Sequence, residues 1–272
     1  MSPGFPTYRE RYLPAMTPAR IAALPDKAWA PVIVATGAIE QHGPHLPVAV
    51  DALMGQIWLA AALARLPADA SCYVAPPITI GKSNEHTGFP GTLSISKDTL
   101  RALLLAIAQQ VRDWGFRQLA ILNTHGGNST VVTSTLAEIS HTLGLRTAFL
   151  RTELQLDISP REAAYGIHAG EVETSWMLAA AGTLVRMDRA VAEYPADLGD
   201  PGGLRPGDAP ATFAWATRDL SRSGVMGDAT AATVEKGLRW IELGAQRYAA
   251  LIAQLCHEGR KLADRPETRL PA

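Results

Sequence analysis

Apolar positions fall in two alternating patterns along the chain: short unbroken blocks, and longer stretches at helical spacing. Residues 31–36 (Pro-Val-Ile-Val-Ala-Thr) form a β-branched block closed by Gly37, which predicts a strand buried on both faces. The stretch 51–66 has helical spacing and stops before Pro67. Short strands are predicted at 73–75 and 78–80. Ser96 caps a predicted helix over 97–114, with Asp98 in its first turn and Gly115 after its end. A strand at 118–122 leads to a helix at 129–143 that ends at Gly144, and a strand follows at 146–150. A helix at 171–181 is closed by Gly182, and 230–255 reads as a long terminal helix. Strands alternating with helices predict an α/β fold with a mostly parallel sheet covered on both faces. The Pro- and Gly-rich stretch 194–210 is predicted as a surface loop with no strand, leaving a single domain over residues 1–272.

Composition narrows the function. Lys+Arg 25 against Asp+Glu 26 leaves a net charge of −1, which gives no electrostatic footprint for nucleic acid or a membrane surface. At 47% hydrophobic the 272 residues can fill a sizeable core. The apolar runs 59–63 and 103–108 are far short of a membrane span of about 20 residues, and the polar, proline-broken N-terminus has no signal-peptide core. Two cysteines, Cys72 and Cys256, cannot make a disulfide scaffold or a four-cysteine zinc site. A reduced, cytoplasmic setting is the expectation.

Histidines and carboxylates gather in Gly/Pro-punctuated segments after the predicted strands, where ligands of a parallel sheet belong. Glu40, His42 and His45 follow the first strand, and Asp51 opens the next helix. Glu40 and His42, two apart, project to one side of an extended segment, and Gly43-Pro44 turns the chain. With Asp51 they make a first shell for Zn²⁺, Mn²⁺ or Fe²⁺; the alternative is a helix cap beside two solvated side chains. Asn123-Thr-His125-Gly-Gly-Asn128 occupies the same place after the strand at 118–122. His168, Glu171 and Glu173 open the helix at 171–181, where the helix dipole also favours acids. Gly81-Lys82-Ser83 is not a phosphate loop, since the required upstream glycine is Pro76 and no helix follows. The segment 81–92 is then a substrate-facing loop or plain surface. No dinucleotide fingerprint, H-E-x-x-H or G-x-S-x-G is present.

Together these clusters resemble the creatininase family. The resemblance is carried by Glu40-Gln-His42-Gly-Pro-His45-Leu-Pro with Asp51, Ser83-x-Glu85-His86 with Phe89-Pro-Gly-Thr92, Asn123-Thr-His125-Gly-Gly-Asn128, and His168-Ala-Gly-Glu171-x-Glu173-Thr. It runs in order from Gly37 to Glu173 and more weakly to Gly224-Val-Met-Gly-Asp228. It implies a three-layer α/β/α domain with two divalent metal ions. One would be held by Glu40, Asp51 and His125, the other by His42 and the shared Asp51. Creatinine-hydrolysing members carry a glutamate where this chain has Gly127, and glycine is usual at Thr124. We take Glu171 as the replacement carboxylate, with Glu173, the more general family position, as second choice.

The resemblance further implies a metal-dependent amidohydrolase acting on a C–N bond of a small cyclic amide, formamide or peptide. His168 is the expected proton shuttle, oriented by Glu173, because an imidazole near pKa 6.5 can take and return a proton. His45, Ser83, His86 and Tyr165 are the expected substrate contacts. The stretch 153–167 has no tryptophan, which removes the flat grip that creatinine hydrolysis uses. Alternatives are a creatininase-like hydrolase of a cyclic ketone, a non-catalytic metal-binding protein and a metal-free nucleotide-binding enzyme. Family members form homo-oligomers, often hexamers, and the same is expected here.

Overall fold

The computed structural model describes residues 6–67, 69–195, 204–206 and 211–263. After a short helix α1 (Pro18–Ala22), strands and helices alternate: β1 (Pro31–Thr36), α2 (Val50–Leu63), β2 (Tyr73–Val74), α3 (Lys97–Asp113), β3 (Gln118–Asn123), α4 (Ser129–Leu143) and β4 (Arg146–Leu150). The remainder comprises α5 (Pro160–Tyr165), α6 (Glu171–Ala181), β5 (Ala192–Glu193), β6 (Leu204–Arg205), β7 (Ala211–Thr212), α7 (Thr217–Leu220), β8 (Gly227–Asp228) and α8 (Val234–Ala263). The central sheet is wholly parallel in the order β2-β1-β3-β4.

Side-chain alternation along the strands builds the layers. Ile33 and Ala35 of β1, with Ala120 and Leu122 of β3, pack against Met54, Trp58 and Leu59 of α2, Met177 of α6, and Tyr248 and Ile252 of α8. Val32, Val34, Leu119 and Ile121 face the other way, onto Leu100 and Leu104 of α3 and Val132, Leu136 and Ile139 of α4. The result is the three-layer α/β/α sandwich expected, with β1 buried along its full length as a central parallel strand should be. Among the described residues no helix is long and apolar enough to cross a membrane.

Chain order then dictates where a ligand can enter. β1 connects to β2 on one side, while β3, inserted on its other side, connects onward to β4. Right-handed crossovers in opposite directions put α2 on one face and α3 and α4 on the other. A crevice therefore opens beyond the carboxyl ends of β1 and β3, the switch point of the sheet.

Several expectations shift in detail. Residues 78–80 contribute only a single bridge, Thr36 to Ile78. α8 begins at Val234 because Asp228 first caps a separate turn, its Oδ1 accepting from Thr230 N at 2.9 Å. Gly144 ends α4 in the left-handed conformation, φ +65°, but Gly182 does not, and the chain runs on into a tighter turn. Within 194–210, expected to hold no strand, Leu204–Arg205 pairs in parallel with Ala211–Thr212; residues 196–203 and 207–210 lie outside the described residues. The run 59–63 belongs to the core under α8.

α6 can carry site residues only if α8 holds it in place. A Cβ at Gly237 of α8 would overlap the backbone carbonyl of Ser175 in α6. We predict that Gly237→Ala forces the two helices apart and destabilises the fold by about 2 kcal/mol, within the range for overpacking. Urea denaturation checks it, and an unchanged midpoint would refute the close-approach argument.

Candidate metal centre

Three loops and two helix starts deliver the polar groups to the crevice. Beyond β1 the chain is pinned by the backbone bond from Glu40 N to Val48 O, 2.9 Å. Asp51 sits in the first turn of α2. The Thr124 hydroxyl donates to the Asp51 carbonyl at 2.7 Å, tying the start of α2 to the end of β3. That bond gives the departure at Thr124 a physical role. His168 lies on the segment before α6, its backbone paired in both directions with Met226, so the weakly matching stretch 224–228 is what braces it. Ala169, fully buried, holds a left-handed φ of +53°, and its N–H donates to Glu173 Oε2 at 2.6 Å. Such a non-glycine conformation persists only where its surroundings enforce it.

Two groups of ligand-type atoms result, each with its members within 4.8 Å of one another: Glu40, Asp51 and His125, and His42, Asp51 and Glu173. Asp51 belongs to both. His125 Nδ1 lies 3.2 Å from Asp51 Oδ2 and 3.3 Å from Glu40 Oε2. His42 Nε2 lies 3.6 Å from Asp51 Oδ1 and 3.7 Å from Glu173 Oε2. A third overlapping group joins Glu40, His42 and His168.

The imidazoles are oriented from outside. His42 Nδ1 meets the Glu40 carbonyl at 3.1 Å, His125 Nε2 the Lys82 carbonyl at 3.0 Å, and His168 Nε2 the Gln41 carbonyl at 2.7 Å. A carbonyl only accepts, so the outer nitrogen of each ring carries the proton and the inner one faces the carboxylates. Metal-ligating histidines are fixed in this way. His42 Nε2 and Asp51 Oδ2 are buried without a hydrogen-bond partner, and buried polar atoms left so are costly unless something fills the gap. The donor set of imidazole nitrogens and carboxylate oxygens fits a divalent cation in each group.

Electrostatics agrees. Burial alone would lower the His125 imidazole, but the facing carboxylates of Asp51 and Glu40 outweigh it and raise its pKa to about 11. His42 rises against its own burial to about 9, through Asp51, Glu173 and Glu40. Burial would raise Asp51, yet His125 and His42 hold it far below the usual carboxylate range. The cluster is built to surround positive charge.

The other expected residues divide. Glu173 reaches the second group, whereas Glu171, our first choice, does not: its Oε1 accepts from Lys236 Nζ of α8 at 2.5 Å. The carboxylate that closes that group is Glu173. Ser83 donates its hydroxyl to Glu40 Oε2 rather than standing free. His86 Nδ1 accepts from Gln41 Nε2 at 2.9 Å, leaving Nε2–H directed at Glu40 Oε1, 3.5 Å away. Burial, then the charges of His168 and His42, lower its pKa to about 2, so it is neutral. His45 is buried against the Thr174 hydroxyl at 2.8 Å. Tyr165 is buried at the end of α5 and does not line the cleft beside the metal groups. Glu85 had no assigned role. A Cβ at Gly127 would overlap Glu85 Oε1, which lies 3.6 Å from His125 Nε2, while Glu85 Oε2 pairs with Lys82 Nζ at 3.3 Å. Loss of a side chain at 127 thus makes room for a carboxylate from the loop at 81–92.

A parallel sheet whose switch-point crevice collects two overlapping acid–imidazole groups defines an α/β protein with a candidate dinuclear centre. A family model described as creatinine amidohydrolase matches residues 14–252, and the chain belongs to this creatininase family of hydrolases. It is 31% identical over 210 residues to the mycofactocin precursor peptide peptidase of Mycolicibacterium smegmatis, covering 76% of this chain and 78% of that protein. It is 29% identical over 257 residues to the creatinine amidohydrolase of Pseudomonas putida, covering 87% and 92%. A solved mutant creatininase of zinc–zinc type superposes with TM-score 0.72 at 25% identity, over 89% of this chain and 97% of that one.

Proposed function

We propose that this chain is a metal-dependent amidohydrolase that hydrolyses a C–N bond of a peptide or small amide with two divalent cations, Zn²⁺, Mn²⁺ or Fe²⁺. Glu40, Asp51 and His125 would hold one, and His42, Asp51 and Glu173 the other. The observation that carries this reading is the inward-facing nitrogen of His42 and oxygen of Asp51, both buried and unpartnered. Bound there, such a pair would lower the pKa of water toward neutrality and polarise a carbonyl.

The chain's own groups supply the rest. Ser83 and His86 hold the two oxygens of Glu40. Lys82, through its carbonyl, fixes the His125 ring. An amide nitrogen leaves only when protonated, so a proton must be carried to it. His168 Nδ1 is the ring atom free to do so, since Nε2–H is committed to the Gln41 carbonyl. Burial leads the causes that lower the His168 pKa, which keeps Nδ1 open to take a proton and ready to give it up.

His125→Ala tests the reading. Elemental analysis of the variant should find one metal equivalent fewer than wild type, and amide hydrolysis should fall by about 10²-fold or more. A variant with full metal content and full activity would end this proposal.

A further inference from the structure

Beside the metal groups lies a cleft of about 540 Å³ whose far wall, the edge of the core under α2, α6 and α8, has no chemical role in the account above. Two helices each deliver an acid and then an aromatic side chain to it. On α2, Asp51 is followed by Met54 and Trp58; on α6, Glu173 is followed by Trp176. At 1.5 Å per residue Trp176 stands about 5 Å beyond Glu173 along its axis, and Trp58 about 10 Å beyond Asp51. Tyr248 of α8 completes the floor, its ring centroid 5.8 Å from that of Trp58, which in turn meets Trp176 edge-on at 5.5 Å. Leu154 and Leu156, on the segment after β4, form the rim. A cleft with one aromatic wall, opening onto polar chemistry, has the make-up of a small-molecule subsite. A compact polar substrate would leave this wall empty.

We infer that the cleft is a specificity pocket for a planar apolar group carried about two carbons from the scissile carbonyl. This rests on the proposed amide hydrolysis and names its substrate class: a carboxamide or peptide with a bulky apolar side chain beside the bond that breaks. The step balances as R–CO–NHR′ plus water giving R–COO⁻ and the protonated amine.

The test uses the metal-loaded protein and two carboxamides that differ only in the planar group, 3-phenylpropionamide and propionamide. Calorimetric titration reads binding, and ammonia release in the same samples reads hydrolysis. The aryl amide should bind about 10- to 100-fold more tightly, the range expected for burying one large apolar group. Leu154→Trp, a rim substitution that fills the cleft, should erase that difference, and so should Trp176→Ala if it folds. Equal affinities in the wild type, or a preference that survives Leu154→Trp, would overturn the pocket. A clear binding preference without ammonia release would uphold the pocket and sink the hydrolytic reading instead.

Discussion

Asp51→Asn is expected to empty both metal groups at once and to lower amide hydrolysis by more than about 10³-fold, the scale seen when residues of one catalytic unit are removed. Asp51 is the residue that the two groups have in common. Its Oδ1 faces His42 Nε2 and its Oδ2 faces His125 Nδ1. Asparagine keeps the shape but replaces one oxygen by an N–H donor and removes the charge that two cations would share. The fold should survive, because the bond from Thr124 to residue 51 uses the backbone carbonyl and asparagine is tolerated at a helix start. Glu171→Gln is the contrasting variant. Its carboxylate is engaged by Lys236 outside both groups, so metal content should stay at the wild-type level. Elemental analysis of the two proteins side by side decides. Full metal in Asp51→Asn, or loss in Glu171→Gln, would reverse the assignment of the carboxylates.

The contrast between Glu171 and Glu173 also marks how far sequence reading reaches. Glu40, His42, Asp51 and His125 were legible because each follows a strand whose apolar run ends in a glycine or polar turn, and parallel sheets gather such segments at one edge. The choice between two acids on one helix was not legible. Residues two apart point to different sides, and what turns Glu171 away is Lys236, 65 residues further on. The same holds for Gly127 and Glu85: the void left by one is filled by a loop that only the fold brings near. Trp58, Trp176 and Tyr248 sit on three helices with no common motif, so nothing in the sequence brings them together. In the fold, β1, β3 and β4 were clear from apolar runs, while the late start of α8 depends on the cap that Asp228 makes to a turn before it.

Loading the metal-free protein near pH 7.5 is expected to release about two protons, because metal ligands must be deprotonated before they bind. Without a cation, His42 and His125 are protonated there, their pKa values raised to about 9 and about 11 despite burial by the carboxylates around them. His45, His86 and His168 contribute none, since burial leads the causes that lower each of them. The sign of the stability change follows by linkage. Histidines raised on folding stabilise the metal-free protein fully below their unfolded pKa of about 6.5, and that contribution is lost as pH climbs through 9 and 11. Asp51, held low, contributes above its unfolded value of about 4 and stops contributing as acid drives it through its folded one. The lowered His45, His86 and His168 act the opposite way, their contribution being lost as pH falls below about 6.5, so the metal-free protein should be most stable near about pH 6.5 and weaken steadily on the alkaline side. Bound cations take the place of the two protons, so the loaded protein should lose that alkaline decline and gain an acid one, where protons compete for the same nitrogens. Melting temperatures of the two forms measured from pH 5 to 10 should diverge as pH rises. Calorimetry in buffers of different ionisation enthalpy should count the protons, with His42→Gln and His125→Gln each removing about one. Metal uptake without proton release, or a metal-free protein as stable at pH 10 as at pH 6, would show that no such charge is stored around Asp51.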